Sequence, residues 1–148
     1  MDEDKSLYQE IERTCTLFNL RKATRVVTDL YSEILAPGDI PVTQFLLLVA
    51  VKNHGPVSMS KLAEGLYTDR TTLTRTLRPL QEKGWITIGP GQDRRVQEVS
   101  LTTTGNATLA ETALLWKQAQ KQVQEQLGHT AWEELLTHLH ASLALKAA

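Results

Sequence analysis

The spacing of apolar positions along the chain predicts a mainly helical protein. Residues 6–34 contain no Gly or Pro, and apolar residues recur there three or four positions apart, which predicts one long first helix. The breaker cluster at 36–39 ends this helix. A second helix then starts at Pro41 and contains the apolar run 45–51.

The middle of the chain predicts two helices joined by a turn. Ser58 is a good N-cap for a short helix at 59–64, and Asp69 or Thr68 can cap a longer helix that Gly84 ends. The longer helix has leucines three or four residues apart on one side, which predicts a buried stripe, and an internal proline that predicts a kink. These residues are Leu73, Leu77, Leu80 and Pro79.

A β-hairpin and two further helices complete the pattern. Residues 85–88 and 97–101 alternate like strands, with a turn at 89–93. Thr102 can cap a long helix that Gly128 ends, and its apolar residues alternate spacings of four and three, as in a helix–helix seam. The last amphipathic helix is preceded by Thr130 and Glu133, which match a capping box.

Composition is typical of one globular domain. The chain has 148 residues, 41% hydrophobic and 22% charged, so we expect a single domain over 1–148. The longest apolar run has seven residues, against about 20 for a membrane helix. The acidic segment 1–4 lacks the basic and apolar regions of a signal peptide, so we expect a cytoplasmic protein without a membrane partner.

Charge is unevenly distributed although the net charge is only −1. Residues 58–95 contain seven Lys and Arg and four Asp and Glu, so this part has a net charge of +3 and the rest of the chain −4. A basic middle between acidic flanks favours one face that binds a polyanion.

The order of short helix, turn, polar-faced helix and basic hairpin is typical of a winged helix-turn-helix. The helix at 69–83 has about the right width for a DNA major groove of roughly 12 Å. Its four threonines and three arginines, with little acid to pair them, favour DNA contact over a merely solvated face. The exposed face is predicted to hold Arg70, Thr71, Thr74, Arg75 and Arg78.

Two further groups of residues are candidate DNA contacts. Arg94 and Arg95 lie at the hairpin tip, where a guanidinium can enter a minor groove, and Asp93 can orient one of them. The alternative is a local surface ion pair, worth at most about 1 kcal/mol. We also expect contacts to the DNA backbone from Ser58, Ser60 and Lys61.

Five segments together resemble the MarR family of winged helix-turn-helix transcriptional regulators. In the family's order and near its spacing they are KLAEGL at 61–66, DRTTLTR at 69–75, LQEKGWI at 80–86, DRR at 93–95 and LTTTG at 101–105. The resemblance implies a homodimer held by both chain ends. It gives Arg95 the minor-groove role, with Arg94 as a helper, and implies recognition contacts at Arg70, Thr71, Thr72, Thr74 and Arg75.

We therefore predict a mainly α winged helix-turn-helix with a small β-hairpin wing and long N- and C-terminal dimerisation helices. Residues 1–36 and 103–148 form the dimerisation helices, and 40–101 form the DNA-binding lobe. The predicted dimer contacts are Leu109, Trp116, Val123, Leu127, Trp132, Leu136, Leu139 and Leu143.

The single cysteine raises an alternative, because some relatives of the family sense organic hydroperoxides through a cysteine on the first helix. On a continuous helix the neighbours of Cys15 include Glu12 and no cation, which disfavours a thiolate. A redox-sensing regulator therefore stays an alternative, as does a winged-helix module that binds a protein through the same polar face.

Other chemistry has little support in the sequence. One cysteine excludes an internal disulfide or a multi-cysteine zinc finger, and the four histidines form no His-x₃-His pair, so we expect no metal site. No phosphate-binding loop, nucleophile elbow or zinc-protease motif occurs, so we expect neither an enzyme nor a cofactor.

The sequence as a whole predicts a sequence-specific repressor that binds a near-palindromic operator in double-stranded DNA as a homodimer. A small-molecule effector, whose pocket the sequence does not identify, modulates it.

Overall fold

A computed structural model describes residues 2–145 and confirms a mainly helical winged-helix fold with a small antiparallel sheet. Its helices are α1 Asp2–Thr14, α2 Thr16–Leu35, α3 Val42–His54, α4 Met59–Gly65, α5 Arg70–Glu82, α6 Thr103–Leu127 and α7 His129–Ser142. The strands are β1 Val57–Ser58, β2 Ile86–Pro90 and β3 Gln97–Leu101. Short 3₁₀ turns lie at Ala36–Gly38 and Leu143–Leu145.

One hydrophobic core holds the lobe formed by α3, α4, α5 and the sheet. Phe45, Leu48 and Leu62 are buried in it, together with the leucine stripe of α5. Leu35 from the end of α2 and Leu109 from the first turns of α6 belong to the same core. The long helices are therefore anchored to the lobe at one end.

The sheet has three strands in the order β1-β3-β2, all antiparallel, where the sequence predicted a two-stranded hairpin. Val99 at the centre of β3 pairs with Val57 of β1 on one side and with Ile88 of β2 on the other. β1 has only two residues, too few for an alternating pattern to reveal it. Strand β2 also runs further than expected, to Pro90.

The prediction of one uninterrupted first helix is wrong. The helix breaks at Cys15, whose φ of −64° and ψ of 114° are extended rather than helical. The side-chain nitrogen of Asn19 donates to the carbonyl oxygens of Glu12, Arg13 and Cys15 at 3.3, 3.3 and 2.9 Å. Asn19 thus satisfies the Glu12 and Arg13 carbonyls, which the break leaves without helical partners, whereas the Cys15 carbonyl also accepts from the Asn19 amide at 3.1 Å.

The capping box predicted at Thr130 is also wrong. Helix α7 begins earlier, directly after Gly128, whose φ of +83° and ψ of 146° turn the chain out of α6. Thr130 therefore lies within the first turn, and Glu133 pairs instead with His129, Nε2 to Oε1 at 3.2 Å. A glycine tolerates this positive φ, so the two helices can follow each other without a linker.

Three predicted N-caps are confirmed by their hydrogen bonds. Ser58 accepts from the Lys61 amide at 3.2 Å, and Asp69, rather than Thr68, accepts from the Thr72 amide at 2.8 Å. Thr102 accepts from the Gly105 amide at 2.9 Å. Helix α5 continues through Pro79 to Glu82, and Gly84, whose φ is +72°, follows its C-cap, as predicted for the residue that ends the helix.

None of the helices described is by itself long and apolar enough to cross a membrane, and 16–38 with 42–54 pass that test only as a pair bent by 79°.

Candidate nucleic-acid interface

Helix α5 has a buried apolar face and an exposed polar face. Leu73, Leu77 and Leu80 are each 0% exposed and fix the helix to the core. Five of the six predicted contact residues on this helix are exposed on its other side: Arg70, Thr71, Thr74, Arg75 and Arg78. The lobe therefore presents these side chains on a helix that its buried face holds in place.

The sixth predicted residue, Thr72, is half-buried and belongs to the cap of α5. Its hydroxyl donates to Asp69 Oδ2 at 2.6 Å, while its amide donates to Oδ1 of the same carboxylate. These hydrogen bonds lower the pKa of Asp69 below its ordinary value. The Thr72 hydroxyl proton is used within the protein, so this residue is the least available of the six.

The charged donors on α5 are its arginines. Thr74 donates its hydroxyl proton back to the Arg70 carbonyl at 2.8 Å, which leaves its oxygen to accept and its methyl group to make apolar contacts. Among the side chains described, those of residues 5–145, neither Arg70 nor Arg75 forms an ion pair. Both guanidinium groups are therefore free to donate to DNA base edges or phosphates.

A cleft of about 500 Å³ runs between α5 and strand β2. It is lined by Thr71, Thr74, Arg75, Arg78, Gln81 and Ile88. Gln81 was not predicted as a site residue, although its position three residues after Arg78 places it on the polar face. The cleft combines cations, hydroxyls and an amide with an apolar floor at Ile88, a composition suited to a nucleic-acid strand.

The wing tip is ordered by Asp93, as the sequence predicted. Its carboxylate oxygen accepts from the Arg95 amide at 3.0 Å and lies 3.4 Å from Arg95 Nε. The Arg95 side chain is nevertheless 92% exposed, and Arg94 is exposed beside it. Asp93 therefore fixes where the arginine leaves the loop while the guanidinium remains accessible.

The predicted backbone contacts lie at the start of α4. Ser60 and Lys61 are exposed, whereas the Ser58 hydroxyl is engaged in capping the helix. Ser58 can still donate its own proton outward, because a hydroxyl that accepts one hydrogen bond retains its donor.

The two chain ends expose a second, apolar surface. Of the predicted dimer contacts, Leu127, Leu139 and Leu143 are 47%, 36% and 46% exposed. The others, Trp116, Val123, Trp132 and Leu136, are half-buried, and Leu109 is buried in the core of its own chain. Helices α1 and α2 add exposed apolar side chains that the predicted list of dimer contacts did not include: Leu7, Ile11, Leu17, Phe18 and Val26.

Cys15 lies half-buried at the break between α1 and α2. Its surroundings therefore differ from those on a continuous helix, which the argument that Glu12 disfavours a thiolate had assumed.

Among the residues described, no group of three or more His, Cys, Asp or Glu is arranged to hold a metal ion.

The DNA-binding lobe matches a known protein family. The sequence model of the MarR family matches residues 40–96, which include the α4–α5 pair and the wing as far as its tip. A relative from Bacillus subtilis (strain 168), the uncharacterized HTH-type transcriptional regulator YwoH, is 27% identical over 86 residues. The alignment covers 58% of this chain and 63% of YwoH, less than two thirds of that relative.

Two solved structures resemble nearly the whole chain. The M. tuberculosis regulator MosR in complex with DNA is 28% identical, with a TM-score of 0.75, over 89% of this chain and 98% of MosR. A cysteine-to-serine mutant of MarR from E. coli, complexed with operator DNA, is 26% identical, with a TM-score of 0.80, over 90% of this chain and 97% of MarR. The similarity thus extends beyond the lobe to the long helices.

Proposed function

We propose that this chain, whose residues 40–96 match the MarR family model, is a member of that family and a sequence-specific DNA-binding repressor of transcription. The observation that carries the proposal is the exposed face of α5, where Arg70 and Arg75 stand free of acidic partners beside Thr71 and Thr74. The buried leucines hold this helix rigidly, so its arginines can reach base edges in a major groove at little entropic cost.

The wing provides a second kind of contact. Arg95, oriented by Asp93, enters the adjacent minor groove, with Arg94 beside it, while Ser58, Ser60 and Lys61 contact the phosphate backbone. Backbone and minor-groove contacts position the protein and carry little sequence information, whereas the α5 contacts select the sequence. Two similar structures, MosR and MarR, are complexes with DNA, which supports DNA as the partner of this chain.

The functional unit is a homodimer formed by both chain ends. Exposed apolar side chains on α1, α2, the end of α6 and α7 would be costly in water, and a second copy can cover them. A two-fold axis through this interface places the α5 helices in successive major grooves, about 34–36 Å apart. The operator is therefore a near-palindrome, and bound protein excludes other proteins from it.

A small-molecule effector regulates the repressor by changing the separation of the two lobes. Such an effector needs only a different affinity for the DNA-competent and incompetent separations. Because α2 and α6 are each anchored to the lobe core, a ligand that shifts these helices also shifts α5.

Selection of bound duplexes from a random library tests the proposal. We expect one enriched near-palindrome and an affinity that falls steeply with salt, because phosphate contacts release counterions. If no sequence is enriched and binding to duplex DNA does not depend on salt, the DNA-binding proposal is wrong, and the alternative of a protein partner on the same polar face is favoured.

A further inference from the structure

Arg78 forms an ion pair with Glu82, whereas the other two arginines of α5, Arg70 and Arg75, form none with the side chains described. Arg78 Nε donates to Glu82 Oε1 at 2.9 Å, and the two side chains are 77% and 62% exposed. Arg78 also lines the cleft between α5 and β2, one turn after Arg75. Of the acidic side chains described between residues 5 and 145, only that of Glu82 pairs with an arginine on α5, and it lies beside the proposed DNA-binding surface.

Helix stability does not account for this pair. Glu82 is the last residue of α5, where the carbonyl end of the helix dipole disfavours a negative charge. The order along the helix, with the cation four residues before the acid, is also the weaker of the two arrangements. The pair therefore adds little to the stability of the helix, and its place in the lining of the cleft points to a role in what the helix binds.

The pair restricts what the Arg78 guanidinium can do. With Nε held by Glu82, the terminal nitrogens remain as the donors available in the cleft. A base or phosphate placed to meet those nitrogens can bind without breaking the pair. Any other arrangement of phosphates requires the guanidinium to leave Glu82, which exposes the carboxylate to the DNA.

We propose that Glu82 is a specificity-determining residue that orients Arg78 and weakens binding to unrelated DNA. The proposal rests on the proposed DNA-binding function. Glu82 itself contacts no base and acts through Arg78. On the operator the Arg78–Glu82 pair is retained, so the carboxylate lowers the affinity little. On other sequences the pair must break, or the carboxylate must face a phosphate, so the affinity is lowered more.

Glu82→Gln tests the proposal, because it removes the charge and keeps the size of the side chain. Binding is measured by fluorescence anisotropy against the selected operator and a scrambled duplex of the same length, at several salt concentrations. We expect the affinity for the scrambled duplex to rise about 3–10-fold and its log–log salt slope to steepen by about 0.9, as for one more phosphate contact. Operator affinity should change less than about twofold, so the ratio between the two duplexes falls.

Two controls separate this role from a general change in charge. Glu64→Gln removes an exposed acid from α4 of the same lobe without touching Arg78. In an Arg78→Ala background, Glu82→Gln should have little effect on the ratio, because the residue through which it acts is absent. Equal effects of Glu82→Gln and Glu64→Gln, or an unchanged ratio, would overturn the proposal while leaving DNA binding intact. A wild-type protein that binds neither duplex would overturn both proposals.

Discussion

The carbonyl oxygen of Trp85 and the α-carbon of Gly105 are in direct contact: a β-carbon on residue 105 would lie 1.9 Å from that oxygen. The same oxygen accepts a hydrogen bond from the Thr102 amide at 3.0 Å. The first turn of α6 therefore rests against the backbone at the start of the wing, and this contact links the long helix to the DNA-binding lobe.

Gly105→Ala should accordingly destabilise the protein. The clash is with backbone rather than with a flexible side chain, so relief requires α6 or the wing to move, at a cost of about 1–3 kcal/mol or more. Gly65→Ala is the matched control, since an added β-carbon there meets nothing within 4 Å. Urea unfolding of both variants checks the prediction, and equal free energies of unfolding would contradict it.

The Asp69 cap predicts a pH dependence. Hydrogen bonds from Thr72 lower the pKa of Asp69 in the folded protein. The stability that this carboxylate contributes is therefore present above the ordinary Asp pKa of about 3.9 and is lost as the pH falls through the lowered folded value. Melting temperatures measured from neutral pH down to about 2.5 follow this loss.

Two variants at this position separate charge from capping. Asp69→Asn should stay near wild type at neutral pH, because Asn caps equally well, and should lack this part of the acid loss. Asp69→Ala should lower the melting temperature already at neutral pH. If the wild type and Asp69→Asn lose stability in parallel on acidification, the carboxylate does not carry the effect.

Much of the fold was predictable because local chemistry determines it. The leucine spacing of α5 and the caps at Ser58, Asp69 and Thr102 depend on residues within one or two turns of each other, and the structure agrees with each. The exposed arginines of α5 follow from the same spacing.

The features missed depend on contacts that spacing does not reveal. The break at Cys15 carries no Gly or Pro and involves the Asn19 side chain reaching back across the bend. Strand β1 exists only because β3 offers it a free edge. The Arg78–Glu82 pair differs from these two features, because its i,i+4 spacing is readable from the sequence, although the sequence analysis did not single out Glu82.

The dimer interface is tested by Leu127→Asp together with Leu139→Asp. Both side chains are exposed, so the charges should leave the monomer fold intact while a paired interface would have to bury them. We expect monomers in sedimentation and a loss of operator affinity of about 100-fold or more, since one half-site is read at a time. Gln126→Asp is the control for added charge on the same helix. A wild-type protein that is monomeric and retains full operator affinity would contradict the prediction.

Cys15→Ser tests the redox alternative. The prediction is that folding and the response to the effector are unchanged and that organic peroxide does not release the wild type from its operator. Electrophoretic mobility shifts with micromolar peroxide check this. Release of the wild type, with the serine variant still bound, would establish Cys15 as a sensor.

The central claim is that α5 reads sequence while the wing positions the protein, and Arg75→Ala and Arg95→Ala compared on one operator test it most directly. Anisotropy against the operator and a scrambled duplex at several salt concentrations is the measurement, with Arg21→Ala on α2 as the charge-matched control. Arg75→Ala should cost about 1–3 kcal/mol on the operator and relax one base position in each half-site. Arg95→Ala should weaken both duplexes by similar factors and flatten the salt slope by about 0.9. If both variants keep wild-type affinity for both duplexes, this face does not bind DNA.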